Sequence, residues 1–420
     1  MRFATLDGWL DWQSGLHPAA IDLGLERVAS VWRQLGGQLA CPVVTVAGTN
    51  GKGSSVAMLE AIWRAAGYRT ASFTSPHLHR YNERIQLHGK PVEDGVIIEA
   101  FERIDRARGA ISLTYFEFGT LAALDIFSRA EVDVVILETG LGGRLDAVNI
   151  IDADVALITA IGIDHVDWLG HDRGQIALEK AGILRRGRAA VCSDPRPPAS
   201  LLDRAAELGA PLSIYQRDFS AEIAPAGWQW RMGDRLRNSL PMPALRGDYQ
   251  IQNAAGVLAV IESMEARLPV SQNAIRDGLA GVALAGRFEV IPGRPTIILD
   301  VAHNAQAAGV LRDTLANYHC KGRVLGVFSA LRDKQLDEIL GVMDASIDRW
   351  YPAGLDDPRG LTGGAIAGLL EAHVEGDRAP AREHIAEALN DARQDAGEND
   401  CIIVFGSFLS VAEARQTLEN

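Results

Sequence analysis

The sequence of 420 residues is poor in cysteine and has no long apolar run. Its four cysteines, Cys41, Cys192, Cys320 and Cys401, are far apart and form no C-x-x-C motif. Neither a disulfide framework nor a zinc site is therefore indicated. The longest apolar runs, such as 155–163, are too short to cross a bilayer, and the first residues include two aspartates where a signal peptide would be apolar. These absences predict a cytoplasmic protein in a reducing compartment, with no membrane partner.

The chain also lacks net positive charge, repeats and low-complexity tracts. Its formal net charge is −13 at pH 7, so we expect no general attraction to nucleic acid, although a local basic pocket stays open. The hydrophobic content of 47% is ordinary for a globular protein with a substantial core. The length suggests two or three domains.

One stretch, V-V-T-V-A-G-T-N-G-K-G-S (43–54), has the pattern of a phosphate-binding loop. Residues 43–47 favour a buried strand, 48–53 form a glycine-rich turn, and an apolar run with helical spacing follows. Backbone N–H groups of such a turn and the start of the helix bind phosphate, and Lys52 adds a positive charge. The alternative is a strand–turn–helix joint with a chance lysine.

The loop departs from the common form in one respect. The pattern G-x-x-x-x-G-K-[ST] requires glycine at 46 and a hydroxyl at 53, whereas this chain has Val46 and Gly53, with Ser54 one place later. The hydroxyl that holds magnesium in an ordinary P-loop is therefore missing. Metal ligands must come from elsewhere in the chain.

Three polar residues follow predicted parallel strands near this loop. Ser75 follows a strand at 70–73, Glu138 follows one at 132–137, and His165 follows one at 155–161. Ligands gather at the carboxyl ends of strands in open α/β sheets, and a carboxylate there is suited to magnesium. The convergence predicts a metal site, although an isolated histidine more often has a structural role.

Two further features carry no function on local grounds alone. Residues 140–149 contain three glycines within four positions, so their backbone could approach a ligand closely. Lys180, on a predicted helix at 174–182, has the pattern of an exposed helix lysine.

The order of elements predicts the α/β class. Strands and helices alternate over residues 1–290, which predicts a P-loop domain with a doubly wound, mostly parallel sheet and an appended hairpin. A shift in composition at 285–295 marks a boundary, after which the alternation restarts over 295–420 as a smaller, Rossmann-like α/β domain. Its predicted strands lie near 296–299, 323–328, 348–351 and 401–405, and its helices near 306–316, 335–343, 380–394 and 408–418. Since this part lacks G-x-G-x-x-G, a dinucleotide is not implied.

Taken together, the motifs resemble the Mur ligase superfamily, and within it the bacterial dihydrofolate synthase/folylpolyglutamate synthase branch. They occur in the family's order and cover nearly the whole chain. They are I-D-L-G-L-E-R-V (21–28), A-G-T-N-G-K-G-S (47–54), S-P-H-L (75–78), N-E-R-I (82–85), L-T-Y-F-E (113–117), E-T-G-L-G-G-R-L-D-A-V-N (138–149), D-H (164–165), L-G (169–170), E-K-A-G-I (179–183), N-A-A (253–255), G-R-F-E (286–289), L-D-V-A-H-N (299–304), L-R-D-K (331–334) and F-G-S (405–407). Two motifs depart from the family pattern. In G-A-H-N-P, Val301 replaces the glycine and Ala305 replaces the proline, and in P-G-R, Ala285 replaces the proline.

The resemblance implies ATP-dependent amide-bond formation. ATP would phosphorylate a substrate carboxylate, and the amino group of L-glutamate would attack the acyl phosphate. The implied acceptors are dihydropteroate and reduced folates, with two Mg²⁺ ions, ATP as co-substrate, and a monomer that binds no nucleic acid. The alternatives are a monofunctional folylpolyglutamate synthase, a Mur-type ligase with another acceptor, a P-loop NTPase or kinase, and a non-catalytic nucleotide- or folate-binding module.

The resemblance also implies roles for individual residues. Catalytic roles fall to Lys52, His165, His303 and Lys180, the last matching the family's carbamylated lysine. ATP would contact Thr49, Asn50, Gly51, Lys52, Gly53, Ser54, Asn253, Arg287 and Asp300. The metal would contact Ser75, Glu138 and His165. The pteroate would contact Ile21, Asp22, Leu23, Thr114, Tyr115, Phe116, Glu117, Leu145, Asp146 and Ala147.

Overall fold

Strands and helices alternate along the chain in the computed structural model, which describes residues 2–225 and 227–419. The chain divides into two units. Unit 1 contains the residues up to Gly162, Asp167–Ala244 and Ile251–Val282. Unit 2 contains Ile163–Val166, Leu245–Gln250 and the residues from Ala283 onward.

Unit 1 is built on an eight-stranded sheet with the order β4-β3-β2-β5-β1-β6-β7-β8. These strands are β1 Val43–Ala47, β2 Thr70–Phe73, β3 Ile85–Leu87, β4 Lys90–Pro91, β5 Val134–Glu138, β6 Val155–Ile158, β7 Ala189–Cys192 and β8 Leu212–Ile214. The neighbouring strands β2, β5, β1, β6, β7 and β8 pair in parallel. Strands β3 and β4 form an antiparallel edge next to β2. The central strands are wholly buried, as expected of a parallel sheet covered on both faces. The predicted mostly parallel sheet is confirmed.

Ten helices in the described residues belong wholly or mainly to unit 1. They are α1 Leu6–Ser14, α2 Glu26–Leu35, α3 Lys52–Ala65, α4 Asp94–Arg108, α5 Tyr115–Arg129, α6 Val166–Leu169, α7 Arg173–Ala181, α8 Ala199–Leu208, α9 Tyr249–Ser263 and α10 Gln272–Gly281. One core contains Trp9, Phe101 and Phe118 from α1, α4 and α5, and a second contains Ile158, Ile176 and further residues of β6, β7, α7 and α8. Helix α3 packs against α10, where Gly278 lies against the backbone of Ile62.

A second, three-stranded antiparallel sheet belongs to unit 1. Its strands are β9 Phe219–Ala224, β10 Gly227–Met232 and β11 Arg235–Leu240. The hairpin of β10 and β11 agrees with the prediction, but β9 was not expected from the sequence. Its burial falls away toward exposed Glu222 and Ile223, so β9 carries no continuous apolar signal.

Unit 2 has a six-stranded sheet with the order β12-β13-β17-β14-β15-β16. Its strands are β12 Glu289–Ile291, β13 Thr296–Leu299, β14 Val324–Phe328, β15 Arg349–Pro352, β16 Asp377–Arg378 and β17 Cys401–Phe405. Its helices are α11 Ala305–Tyr318, α12 Leu336–Met343, α13 Gly363–His373, α14 Ile385–Asp395 and α15 Phe408–Glu419. The strands pair in parallel except for β12, and Phe328, Trp350 and Phe405 meet in the core.

The α/β alternation predicted for this region is confirmed, with corrections at three places. The prediction missed the edge strands β12 and β16, which are short and only partly buried or exposed. It also missed α13, whose two leading glycines weaken its helical pattern. Helix α14 begins at Ile385, five residues after the predicted start, because residues 377–384 enter the sheet edge and its connection.

No helix in residues 2–225 and 227–419 combines the length and apolar character needed to cross a membrane.

Candidate active site

The predicted phosphate-binding loop connects β1 to α3. Strand β1 ends at Ala47, and α3 begins at Lys52, with Gly51 before it at φ +88°. The Lys52 Nζ donates to the carbonyl oxygens of Gly48 (3.0 Å) and Thr49 (3.3 Å), so the lysine folds back over the turn. The loop therefore has the strand–turn–helix form that binds phosphate, with the ammonium group held at its mouth.

The end of β6 holds this loop in place. The backbone N–H of Thr49 donates to Ala160 O (2.7 Å), and Thr159 Oγ1 donates to Asn50 O (2.7 Å). A Cβ atom on Gly48 would lie 1.7 Å from Thr159 Oγ1, so the glycine is required by the close approach. These contacts explain why β6 ends at Ile158 and not at 161 as predicted: the residues that follow pair with the loop.

Asn253 on α9 lies directly beside the loop. A Cβ atom on Gly51 would be 2.5 Å from Asn253 Oδ1, and the positive φ of Gly51 also disfavours any larger residue. The structure therefore brings together two residues that are 202 positions apart and that were both expected to contact ATP.

Ser75 and Glu138 lie side by side at the carboxyl ends of β2 and β5. The Ser75 backbone N–H donates to Glu138 Oε2 (3.3 Å), and Phe73 pairs with Leu137 in the preceding register. A hydroxyl and a carboxylate are hard oxygen donors of the kind that magnesium prefers, so these two residues fit the implied metal.

His165, the third predicted ligand, lies in the Ile163–Val166 segment of unit 2, in the left-handed region at φ +52°. No group of three or more His, Cys, Asp or Glu side chains in the described part of the chain is arranged to hold a metal. Of the three expected ligands, Glu138 and His165 are of these types, whereas Ser75 is not. The oxygen ligands of the expected site are therefore the Ser75 hydroxyl and the Glu138 carboxylate.

Lys180 is not the exposed lysine that its helix pattern indicates. It lies near the end of α7 and is only 2% exposed. A buried ammonium group is costly unless it is paired or modified, so burial sets Lys180 apart from a surface lysine.

The glycine-rich loop packs against the helix that carries Lys180. A Cβ atom on Gly143 would lie 3.0 to 3.1 Å from the carbonyl oxygens of Glu179 and Lys180, and the Arg144 N–H donates to Glu179 O (2.8 Å). Two of these glycines are thus explained by packing. Gly143 permits contact with α7, and Gly140 leaves room for the Phe116 ring, which would lie 2.7 Å from a Cβ atom at this position.

Asp146 in this loop is buried and bridges two backbone N–H groups. Its carboxylate accepts from Leu141 N (2.9 Å) and Val148 N (3.0 Å). Burial raises the pKa of Asp146 to about 6, although both hydrogen bonds and the charge of Lys52 act in the opposite direction. The interaction with Lys52 places this carboxyl group near the phosphate-binding loop.

The predicted pteroate segments meet through a cluster that the sequence did not reveal. Arg27 donates to Asp22 Oδ2 (2.7 Å) and to Glu117 Oε1 (2.9 Å), and His17 contacts Asp22 at 3.1 Å. Glu117 also forms a capping box with Thr114 at the start of α5. The side chains of Thr114 and Glu117 are thereby engaged in holding α5, and Arg27 is the residue that joins this helix to Asp22. The sequence shows Glu117 three residues after Thr114, which is the spacing of a capping box, but nothing in it identifies Arg27 as a partner.

The remaining predicted pteroate residues differ in exposure. Phe116 and Tyr115 are partly exposed and pack on Phe73 and Tyr81, respectively. Ile21 is exposed, Leu23 and Leu145 are half-buried, and Ala147 is buried. The ring of Phe116 is therefore accessible along one part of its surface, whereas Ala147 belongs to the core.

In unit 2, Asp300 follows β13 and joins two backbone segments. Its carboxylate accepts from Phe288 N and Ala302 N, both at 2.8 Å. Burial raises the pKa of Asp300, while the charge of Arg287 and the two hydrogen bonds act to lower it. The Arg287 guanidinium lies 5.0 Å from the ring centroid of Phe408 at the start of α15. Both predicted ATP residues therefore lie near the carboxyl end of this sheet.

His303 lies close to Asp164, a residue to which the sequence assigned no role. His303 Nδ1 is 2.8 Å from Val301 O, and its Nε2 is 3.3 Å from Asp164 Oδ2. A carbonyl and a carboxylate both accept hydrogen bonds, so each ring nitrogen of His303 faces an acceptor oxygen. These two contacts hold the ring between Val301 and Asp164.

Asp164 also contacts Lys334 and Asn304 within unit 2. Lys334 Nζ is 2.7 Å from Asp164 Oδ1, and Asn304 Nδ2 donates to Oδ2 (3.0 Å). Burial favours the protonated acid, but the hydrogen bond from His303 and the neighbouring positive charges hold the pKa of Asp164 well below its usual range. The motifs D-H and L-R-D-K were visible in the sequence, but nothing local showed that they meet.

Comparisons with known proteins agree with these features. A model of the Mur ligase middle domain matches residues 46–197, and a model of the Mur ligase glutamate ligase domain matches residues 286–408. The chain is 42% identical to the dihydrofolate synthase/folylpolyglutamate synthase of Escherichia coli (strain K12), over 99% of this chain and 96% of that protein.

Solved structures match over the same extent. E. coli FolC in complex with DHPP and ADP has a TM-score of 0.93 and 42% identity, covering 99% of this chain and 98% of that one. A bifunctional folylpolyglutamate synthase/dihydrofolate synthase with Mn, AMPPNP and L-glutamate bound has a TM-score of 0.92 and 43% identity, covering 100% and 99%.

Proposed function

The chain belongs to the dihydrofolate synthase/folylpolyglutamate synthase family of Mur ligases, and from this premise we propose the reaction that it catalyses. It is an ATP-dependent carboxylate–amine ligase that adds L-glutamate to dihydropteroate, giving dihydrofolate, and to reduced folates, giving polyglutamates. ATP phosphorylates the acceptor carboxylate, glutamate attacks the acyl phosphate, and ADP and phosphate leave. The observation that carries the proposal is 42% identity to the E. coli bifunctional enzyme across 99% of the chain.

The phosphate-binding loop supplies positioning and positive charge for phosphoryl transfer. The backbone of Thr49–Ser54 and the Lys52 ammonium group hold the triphosphate of ATP, and Asn253 orients it from beside Gly51. In unit 2, Arg287 and Asp300 contribute further ATP contacts. Since phosphoryl transfer requires alignment and charge neutralisation, no covalent nucleophile of the protein is needed.

Ser75, Glu138 and His165 are the proposed metal ligands, and two Mg²⁺ ions take part. The related structure with bound Mn and AMPPNP supports a divalent ion alongside the nucleotide. When bound, the metal neutralises phosphate charge and supports the leaving group. Glu138 is held next to Ser75 by the 3.3 Å contact, which keeps the two oxygen donors at one edge of the sheet.

Lys180 is proposed to be carbamylated, which would replace a buried ammonium group with a carboxylate-like oxygen donor. The motif E-K-A-G-I (179–183), which matches the family's carbamylated lysine, supports this proposal, and the 2% exposure of Lys180 distinguishes it from a surface lysine. Carbon-13 NMR after supply of labelled bicarbonate should show a carbamate signal in the wild type and none in Lys180→Ala. A wild-type spectrum without that signal would reject the modification.

The pteroate site is proposed to use Asp22, Phe116 and Asp146, with Ile21, Leu23, Tyr115, Leu145 and Ala147 as further contacts. Arg27, Thr114 and Glu117 hold the segment that contains Asp22 against the start of α5.

We further propose that residues 1–290 carry the ATP and pteroate functions, that 295–420 carry glutamate ligation, and that the protein acts as a cytoplasmic monomer. His303 is proposed to assist catalysis there.

ADP release with ATP, magnesium and L-glutamate tests the function. Dihydropteroate and a reduced folate are compared as acceptors, and Lys52→Ala is the inactive control. We expect turnover with both acceptors and a loss of at least about 100-fold in Lys52→Ala, since a charge-neutralising contact is removed.

Turnover with a reduced folate alone would identify a monofunctional folylpolyglutamate synthase. ADP release that did not depend on glutamate would instead favour an NTPase. Absence of glutamate-dependent turnover with both acceptors would reject the folate ligase and favour a Mur-type ligase with another acceptor.

A further inference from the structure

The carboxylate of Asp164 is surrounded by donors from four residues. Oδ1 accepts from His165 N (2.8 Å) and Lys334 Nζ (2.7 Å), whereas Oδ2 accepts from Asn304 Nδ2 (3.0 Å) and contacts His303 Nε2 (3.3 Å). All of these residues belong to unit 2. We call Asp164, His303, Asn304 and Lys334 the Asp164 cluster. A carboxylate has about four lone-pair sites, so each of its sites has a donor.

The ion pair at the centre of the cluster is buried. Lys334 Nζ lies 2.7 Å from the Asp164 carboxylate, and the side chains of both residues are only 7% exposed. The ring of His303 lies between the second oxygen of this carboxylate and the carbonyl oxygen of Val301. A buried carboxylate that several donors contact has a fixed position, so the side chains that it contacts are held in place as well.

The cluster lies where ligands bind in this type of sheet. His303 and Asn304 follow β13, Lys334 follows β14, and Asn304 caps the start of α11. The carboxyl ends of parallel strands are the usual ligand side of an open α/β sheet. Lys334 and His303 thus lie at the carboxyl ends of the parallel strands of unit 2, where ligands bind.

We propose that Asp164 is a positioning residue for the ligase reaction. Its carboxylate holds the Lys334 ammonium group and the His303 ring in one fixed arrangement, in which they bind an anionic group of the reacting substrates. The phosphoryl group in transfer and the carboxylates of glutamate have this chemistry. This inference rests on the proposed function, and Asp164 itself touches no substrate.

Asp400 provides a matched control within the same unit. It has the same exposure as Asp164 (8%) and also accepts from several donors: Arg323 N (2.8 Å), Arg323 Nη2 (2.9 Å) and Gly397 N (3.0 Å). It precedes β17, whereas the Asp164 cluster follows β13 and β14. If Asp164 only stabilised the fold, the two substitutions to asparagine would act alike.

The experiment compares Asp164→Asn and Asp400→Asn in the full chain. The measurements are kcat, the KM values for ATP, glutamate and the acceptor, and the folded fraction from thermal unfolding. For Asp164→Asn we expect kcat per folded molecule to fall about 100-fold with KM for ATP within about threefold, since charge stabilisation is lost mainly in the transition state. For Asp400→Asn we expect a lower Tm and kcat within about twofold of wild type.

A double substitution keeps the test valid if Asp164→Asn fails to fold. Asp164→Asn with Lys334→Met removes one anion and one cation together, so the net charge of the cluster does not change. If Asp164 acts by positioning Lys334, the double variant should have a kcat within about threefold of Lys334→Met alone, because coupled residues are non-additive. A double variant with a kcat more than about tenfold below that of Lys334→Met would overturn the proposal.

The wild type separates this inference from the proposed function. Wild-type turnover with glutamate, together with equal kcat values for Asp164→Asn and Asp400→Asn, would overturn the positioning role alone. Absence of wild-type turnover would reject the proposed function and, with it, this inference.

Discussion

The phosphate-binding loop of unit 1 and the Asp164 cluster of unit 2 are built in different ways. The loop depends on backbone and on the absence of side chains: Gly48 lies against Thr159, and Gly51 lies against Asn253. The cluster depends on charged side chains that converge on one carboxylate. The loop should therefore be sensitive to added volume, whereas the cluster and its neighbours should be sensitive to lost charge at constant volume.

The same contrast appears in two histidines. In unit 1, His77 Nδ1 accepts a hydrogen bond from Arg84 Nε (2.8 Å), so the imidazole is neutral. In unit 2, both ring nitrogens of His303 face acceptor oxygens, Val301 O and Asp164 Oδ2. Histidines in the two units therefore have opposite kinds of hydrogen-bond partner.

Gly51→Ala gives the largest expected effect and tests the volume argument. The new Cβ would meet Asn253 Oδ1 at 2.5 Å in a strained backbone conformation, which displaces a residue proposed to contact ATP. We expect kcat/KM for ATP to fall about 100-fold, as for a misplaced reacting group. Steady-state kinetics of ADP release measures the loss.

Gly67→Ala is the control, since Gly67 has nearly the same φ (+91°) but no atom within 4 Å of the new Cβ. We expect it to cost about 1 kcal/mol of stability with unchanged kinetics. If the kinetics of Gly51→Ala were as close to wild type as those of Gly67→Ala, the contact between Gly51 and Asn253 would have no role in ATP binding.

Asp300→Asn tests the charge argument at constant volume. Asparagine has one acceptor oxygen where Asp300 uses two, so the N–H of Phe288 or of Ala302 loses its partner. We expect the free energy of unfolding to fall by about 1–3 kcal/mol and KM for ATP to rise about tenfold, because Arg287 lies in the turn that Asp300 holds. Chemical denaturation and steady-state kinetics measure the two effects.

Asp313→Asn is the control, because Asp313 pairs with Arg312 on an exposed surface. Surface pairs contribute at most about 1 kcal/mol, so we expect little change. An Asp300→Asn variant as stable and active as Asp313→Asn would remove the distinction between the two units.

His77 gives the smallest expected effect, a pH dependence of stability. Burial and the positive charge of Arg84 lower the pKa of His77 from 6.5 to about 4. Between these values the unfolded chain binds more protons, so stability is full above 6.5 and declines as the pH falls toward 4. We expect a contribution of about 2 kcal/mol after allowance for partial exposure.

Denaturation of the wild type and of His77→Gln across this pH range measures how the free energy of unfolding changes with pH. The glutamine can still accept a hydrogen bond from Arg84 but cannot be protonated, so the slope of the free energy of unfolding against pH should decrease. His79→Gln, at an exposed neighbouring position, should leave the slope in place. An unchanged slope in His77→Gln would show that its neutral state does not contribute.

Much of the fold followed from local patterns. The strands β1, β2 and β5 are buried apolar runs, and the turn before α3 combines glycines with a lysine at fixed spacing. Edge strands and α13 were missed, because half-exposed segments and leading glycines give weak periodicity. In the site, the position of Glu138 was predictable, whereas the burial of Lys180 contradicted its pattern.

The sequence by itself determined the α/β class, the phosphate-binding loop and the family, because these depend on short stretches whose spacing is visible along the chain. Only the tertiary structure decided that Asn253 lies beside Gly51, that Arg27 joins Asp22 to Glu117, and that Asp164 gathers Lys334 and His303. Those partners are far apart in sequence, and burial and charge pairing between distant residues arise only when the elements pack.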